Sequence, residues 1–482
     1  MKTRMEKDSL GEKPVPAEAY YGIQTVRAIE NYPISGYRAH PTLIRAMGMI
    51  KKAAALANQE LGLLDAKRAR AILAAAEDVI AGKLTNEFVV DVYQAGAGVS
   101  FHMNTNEVVA NRAIEILGGK RGDYSVVHPN DHVNFGQSTN DVIPTAMRLA
   151  AILLIEDLIK PLERLEKAFA KKGKEFDHIL KSGRTHLQDA TPVRLGQEFA
   201  AYGMAMRRAR EELRHAQDVL RELGLGGTAV GTGVNTHPKY QSLVVKYLSE
   251  VSGQKLTPTP DMRWAMQSNL PMGVASGALR ALALELIRIS NDLRLLSSGP
   301  NTGFNEIKLP ALQPGSSIMP GKINPVMPEL VAMVCFQAVG ADLATAMAVQ
   351  GGQLELNVMM PTMAWNVTHA AEILKNTVQV FAEKCVEGIT ANEERCRYYA
   401  GVTVSLAAAL NPYVGYAKAA EVAKESVRTG KTIPEIAKEW KLLDEEQLKQ
   451  ILDPYRMTEP EAPLEEARKK PAASKKKVNA AN

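Results

Sequence analysis

The chain has 482 residues, enough for about three domains or one large elongated unit at roughly 150 residues per domain. Apolar residues make up 46%, charged residues 23% and aromatics 5%, a globular composition that relies on aliphatic and alanine packing and so favours helices. Of the net charge of +5, six positives (Arg468, Lys469, Lys470, Lys475, Lys476 and Lys477) lie in the last fifteen residues, so the body is nearly neutral, which argues against a nucleic-acid partner.

The N-terminal segment has no apolar h-region, and no uninterrupted apolar run reaches the ~18 residues of a membrane span. The chain therefore reads as untargeted and without a membrane partner. Cys335, Cys385 and Cys396 cannot all pair with one another and show no CxxC spacing, as expected of reduced thiols in a cytoplasmic protein. Short helices are predicted over 42–60, 66–81 and 106–117, separated by Gly-, Asn- and Pro-rich turns, which gives a mainly helical N-terminal domain over 1–139. His128 and His132 are four apart like zinc ligands, but Pro129 and the lack of a glutamate after His128 remove HExxH chemistry, so no metal site is expected.

The polar cluster Gln137-Ser138-Thr139-Asn140-Asp141 comes next, and taken alone it is compatible with simple helix capping. An apolar seam then runs through Ile155, Leu158, Leu162, Leu165 and Phe169, and Pro161 within it should kink the helix. A second polar cluster, Gly183-Arg184-Thr185-His186-Leu187-Gln188-Asp189, precedes the clearest periodic signal. That signal is Phe199, Tyr202, Met206, Ala209, Leu213, Ala216, Leu220 and Leu223, stepping by threes and fours. Gly224 to Ala229 has GxGxxA spacing, yet it follows a long helix where a dinucleotide fingerprint must follow a strand. A third seam joins Leu279, Leu282, Leu286, Ile289, Leu293 and Leu296, and further helices are expected over 327–349 and 362–387. Together these predict a mainly α protein with a central long-helix bundle over 140–394. A small helical domain over 395–457 and a basic tail over 458–482, with almost nothing to bury and so expected to be disordered, complete the chain.

The segment Gly315-Ser316-Ser317-Ile318-Met319-Pro320-Gly321-Lys322-Ile323-Asn324-Pro325 carries the most chemistry. Small residues make a mobile loop, two hydroxyls project from it, and Lys322 and Asn324 supply a cation and an amide donor suited to a carboxylate.

The three polar clusters together resemble the fumarase/aspartase superfamily, whose members carry GSSxMPxKxNP, QS(S/T)ND and GRTHxQDA segments. The resemblance runs from Gly11-Glu12-Lys13 to about Tyr455. It implies the three-domain superfamily fold, a homotetramer with a core of twenty helices, active sites each assembled from three subunits, a small-molecule dicarboxylate substrate and no cofactor. It also implies roles: Ser316 as the base that takes the Cβ proton, His186 paired with the acid Glu329, and Ser138, Thr139, Asn140, Thr185, Ser317, Lys322 and Asn324 lining the substrate. The segment from Gly227 to Gly233 matches a family loop.

Two branches compete. Gln137 to Asp141 and Lys322 to Glu329 are similar to the aspartase branch, whose members eliminate ammonia from L-aspartate to give fumarate. His128-Pro129-Asn130-Asp131 and Asp189-Ala190-Thr191-Pro192 look like the fumarate hydratase branch. The balance favours aspartase, with fumarate hydration or a related amino dicarboxylate as the alternatives. Catalytically silent proteins with this fold also exist, but here the catalytic residues are present. The pattern breaks at Val99, where a threonine hydroxyl is usual, at His102 in place of asparagine, and at Met360 in place of glutamate. Valine keeps the shape and loses a donor, which Ser100 or His102 would have to supply.

Overall fold

The computed structural model describes residues 2–464, so the lysine-rich run beyond lies outside the described residues. A hairpin of β1 (Thr3–Asp8) and β2 (Gly11–Pro16) precedes α1 (Ile23–Asn31), α2 (Pro41–Glu60), α3 (Ala66–Ile80) and α4 (Val99–Ile116). The long α5 (Thr139–Glu175) leads to a second antiparallel hairpin, β3 (Leu180–Thr185) and β4 (Gln188–Arg194). Then come α6 (Leu195–Leu220), α7 (Tyr240–Ser252), α8 (Met262–Gln267), α9 (Leu270–Leu296), α10 (Val326–Val349) and α11 (Met360–Lys384). Five shorter helices follow: α12 (Glu393–Val402), α13 (Asn411–Val414), α14 (Tyr416–Thr429), α15 (Ile433–Glu439) and α16 (Glu445–Ile451). The protein is mainly α, as composition predicted.

All eight residues of the seam from Phe199 to Leu223 are buried, and so are those from Ile155 to Phe169 and from Leu279 to Leu296. Periodicity failed where a helix is buried all round, since it then has no polar face to mark the turn. Thus α5 starts at Thr139, well before Ile155, and continues through both Pro144 and Pro161. Its early turns bury Val142, Ile143, Met147, Leu149 and Ile152 alike. Helix α4 starts at Val99, seven residues before the predicted boundary, and periodicity misses it for the opposite reason: Phe101 to Asn111 is continuously buried although His102, Asn104, Thr105, Asn106 and Glu107 are polar.

By length and composition α9 and α10 are apolar enough to cross a membrane. Both carry charge within the stretch, however, and Arg280 of α9 pairs with Asp342 of α10 at 3.2 Å.

The chain divides into two compact units. The first, from residues 2–164, 206–288 and 329–380, contains the N-terminal helices. Here α1 opens at Gly22 without a capping side chain of its own. Glu107 of α4 takes that role, accepting the N–H groups of Gly22 at 2.8 Å, Gln24 at 2.9 Å and Thr25 at 3.2 Å. Burial pushes its carboxyl group up to about 7.

The second unit takes residues 165–205, 289–328 and 381–464. Phe169, Phe176, Phe199, Tyr202 and Phe381 meet there mostly edge to face. A separate C-terminal core joins Leu406, Leu410, Val422, Ile433, Ile436 and Ile451. Arg194 binds Thr458 and Glu459 at 2.7 Å, and the Leu464 N–H donates to the Tyr413 hydroxyl at 2.8 Å, so the first residues of the expected tail are tied down.

Candidate functional site

In the second unit, Ser316, Ser317, Lys322 and Asn324 share one loop closed on itself. The Gly315 N–H donates to the Lys322 carbonyl at 2.8 Å, and Asn324 Nδ2 donates to the Gly315 carbonyl at 2.6 Å. Only glycine fits this crossing: a Cβ on residue 315 would lie 2.4 Å from the Lys322 oxygen and 2.8 Å from the Asn324 nitrogen. Within the loop the Ser316 Oγ accepts the N–H groups of Met319 at 2.9 Å and Ile318 at 3.2 Å. Two main-chain donors aimed at one hydroxyl oxygen are what an alkoxide would require, because they hold negative charge without reorganising. Ser317 and Lys322 are exposed, while Ser316 and Asn324 are half-buried.

Thr185 and His186 lie at the exposed tip of the β3–β4 hairpin, where Thr185 pairs with Gln188 around a two-residue turn. His186 and Leu187 both have positive φ, 56° and 58°, the turn that usually takes Asn-Gly. Non-glycine residues there store strain, and such strain clusters at functional sites. The base of the hairpin is braced by charge. Fully buried Glu306 binds Lys181 at 3.2 Å and Arg184 at 3.0 Å, and the Arg184 guanidinium also lies over the rings of Phe304 and Tyr399. Arg184 of the GRTH segment is therefore a brace for its neighbours.

In the first unit, Ser138, Thr139 and Asn140 form the N-terminus of α5, whose dipole favours an anion, with the Asn140 N–H held by Ser138 Oγ at 3.3 Å. Asp141 is wholly buried beneath them and accepts the N–H groups of Ser138 at 2.9 Å, Gly226 at 2.9 Å and Thr228 at 3.1 Å. Burial pushes Asp141 up to about 6 despite these bonds and the positive charge of Lys51. Asn140 Nδ2 donates to the Ala229 carbonyl at 2.7 Å, which leaves the glycine-rich segment after Leu225 a structural task, cradling the start of α5.

Thr139 Oγ lies 2.8 Å from His102 Nδ1, and His102 Nε2 lies 2.8 Å from Lys51 Nζ. Both ring nitrogens of His102 are thus engaged inside the protein, so His102 does not itself present the donor missing at Val99. Ser100 sits half-buried in the first turn of α4, on a cleft with Arg27, Tyr124 and His128. Val99, one position earlier, is 41% exposed, and Glu329 lies in the first turn of α10.

Sequence reasoning missed Lys51. The available signal was its phase on α2: Met47, Lys51, Ala54 and Asn58 follow the helical repeat of the buried face, where a lysine needs a partner.

Residues 11–340 match the lyase family, and residues 406–459 match the C-terminal domain of fumarase C. The chain is 48% identical over 457 residues to an aspartate ammonia-lyase of a Bacillus species, covering 95% of this chain and 98% of that relative. It is 50% identical over 456 residues to the class II fumarate hydratase of Halobacterium salinarum, covering 94% and 97% of the two chains. Among solved structures, the fumarate lyase:delta crystallin of Brucella melitensis bound to cobalt superposes with a TM-score of 0.92 at 50% identity, covering 95% of this chain and 100% of that one.

Proposed function

The chain belongs to the fumarase/aspartase superfamily of lyases, and on that premise we propose that it reversibly eliminates ammonia from L-aspartate to give fumarate. The observation that carries this reading is the Ser316 hydroxyl, which accepts two main-chain N–H bonds on a loop that also bears Lys322 and Asn324.

In the proposed reaction Lys322 and Asn324 hold the α-carboxylate. Ser316, as the alkoxide, takes the proton from Cβ, and the Ile318 and Met319 N–H groups stabilise the charge it carries beforehand. The electron pair left on Cβ moves into the neighbouring β-carboxylate, which then carries two negative charges. The substrate's ammonium group leaves from Cα as ammonia, taking the C–N bond pair, as the pair on the carboxylate returns to form the double bond. Ser138, Thr139 and Asn140, at the positive end of α5, meet the carboxylate where charge accumulates. Thr185, Ser317 and Ser100 add donors, and His186, with Glu329 as its acid, serves the leaving group.

Each of these clusters would come from a different copy of the chain in a homotetramer. In support, α10 leaves an apolar face uncovered through Met333, Phe336, Leu343 and Met347, each at least 59% exposed. The Arg280–Asp342 pair beside that face suits an interface between subunits better than lipid. A cytoplasmic setting agrees with three buried, unpaired thiols.

A hydratase acting on fumarate is the second reading, favoured by the identity to the H. salinarum enzyme. The test is the ultraviolet absorbance of fumarate while purified protein is offered L-aspartate and then L-malate. Fumarate from aspartate supports the proposal; brisk malate turnover without aspartate turnover selects the hydratase.

A further inference from the structure

Lys51 of α2 has no solvent exposure, and its Nζ has three partners: Asn134 Oδ1 at 3.0 Å, Gln137 Oε1 at 2.8 Å and His102 Nε2 at 2.8 Å. The amides are fixed by their own nitrogens. Asn134 Nδ2 donates to the Gln137 carbonyl at 3.2 Å and Gln137 Nε2 to the Val133 carbonyl at 3.0 Å, so both side-chain oxygens face Lys51 and can only accept. Two lysine hydrogens are committed in this way. The third position of Nζ decides the imidazole: an ammonium donates its third proton to Nε2, whereas a neutral amine presents a lone pair there and must receive Nε2–H. On the far side of the ring, Nδ1 meets the half-buried Thr139 Oγ at 2.8 Å.

We propose that Lys51 and His102 are positioning residues for the dicarboxylate. Protonated Lys51 fixes the Nδ1–H form of His102, Nδ1–H donates to Thr139 Oγ, and the Thr139 hydroxyl proton is left to donate to a substrate carboxylate. When Lys51 loses its proton the relay inverts. Nε2–H donates to Lys51, the Thr139 hydroxyl donates inward to Nδ1, and only lone pairs face the carboxylate. The inference rests on the reading that Thr139 lines the substrate.

The titratable groups around the relay bear on which form is populated. Burial, with the Lys51 charge second, holds His102 well below the usual histidine value, so the ring is neutral at pH 7 and has one N–H to place. Burial lowers Lys51 well below the usual lysine range, and the Asp141 carboxylate on α5 opposes that shift by favouring the ammonium. Tyr240 of α7, raised well above its ordinary value by burial and by Asp141, stays a neutral phenol.

The probe is succinate, which has both carboxylates and no amine to titrate. Its inhibition constant against the intact enzyme should be flat near neutral pH and then rise about tenfold per pH unit once Lys51 deprotonates. Lys51→Met and His102→Leu should weaken succinate about tenfold or more at pH 7 and abolish that alkaline limb, with kcat affected less than KM for aspartate. Wild-type affinity and an unchanged limb in Lys51→Met would overturn the relay. Nitrogen-15 NMR of histidine-labelled enzyme, with His102 assigned by its loss in His102→Leu or by its contact to Thr139, reads the tautomer directly even if the variants do not fold. Unprotonated Nε2 at pH 7, inverting at alkaline pH, supports the proposal; protonated Nε2 at pH 7 refutes it. Failure of succinate to bind unaltered enzyme at any pH would strike the lyase reading instead, and the tautomer would then judge the relay alone.

Discussion

Replacing Gly315 by alanine tests the loop geometry with a single methyl group. The new Cβ would sit 2.4 Å from the Lys322 carbonyl oxygen, where real contacts essentially never fall below 3.0 Å, so the two strands of the loop must part by about 0.6 Å at least and about 1 Å for ordinary contact. That movement breaks the bonds from the Gly315 N–H to Lys322 and from Asn324 to the Gly315 carbonyl, about 1 kcal/mol each. Lys322 and Asn324 then shift relative to Ser316 by a distance that costs on the order of a hundredfold in rate when reacting groups are held out of place. Because the loop is largely exposed and packs little core, global stability should fall by no more than about 2 kcal/mol, the worth of those two bonds. The assay is kcat and KM for aspartate from fumarate absorbance, beside a thermal melt. A variant with kcat within about threefold of the parent and an unchanged melt would refute the claim that this crossing aligns the loop.

Ser316→Ala should preserve the melt and lower kcat by about a thousandfold or more, since the loss lies in the transition state; near-normal turnover would remove Ser316 as the base. Val99→Thr, at an exposed position in the first turn of α4, should raise aspartate turnover about tenfold to a hundredfold if the restored hydroxyl reaches the growing carboxylate charge. Unchanged constants would place Val99 outside the productive site. Glu306→Gln removes the carboxylate that Arg184 shares with Lys181, while Lys181 keeps Glu198 at 2.7 Å, so the cost in urea unfolding should sit at the low end for a buried pair, about 3 kcal/mol. A loss below about 1 kcal/mol would mean the brace behaves like a surface pair.

Sequence alone determined those features whose partners lie a few positions apart. The seam from Phe199 to Leu220 is legible because one helix carries both its buried and its solvated face, so the repeat of about 3.6 residues is written along it; Leu223, buried too, lies past the helix end. The Ser316 loop is legible for a similar reason: the oxygen and its two donors fall within three residues, and glycine marks the crossing. The tertiary structure decided the rest. The early turns of α5 bury apolar residues in every phase, and α4 buries His102, Asn104, Thr105, Asn106 and Glu107 among its apolar residues, so neither start shows an apolar repeat. Lys51, read singly, is an ordinary lysine beside Lys52; its partners His102, Asn134 and Gln137 lie 51, 83 and 86 positions away. Only chain closure removes it from water and surrounds it with two amide oxygens and an imidazole nitrogen, and desolvation makes each of those contacts decisive.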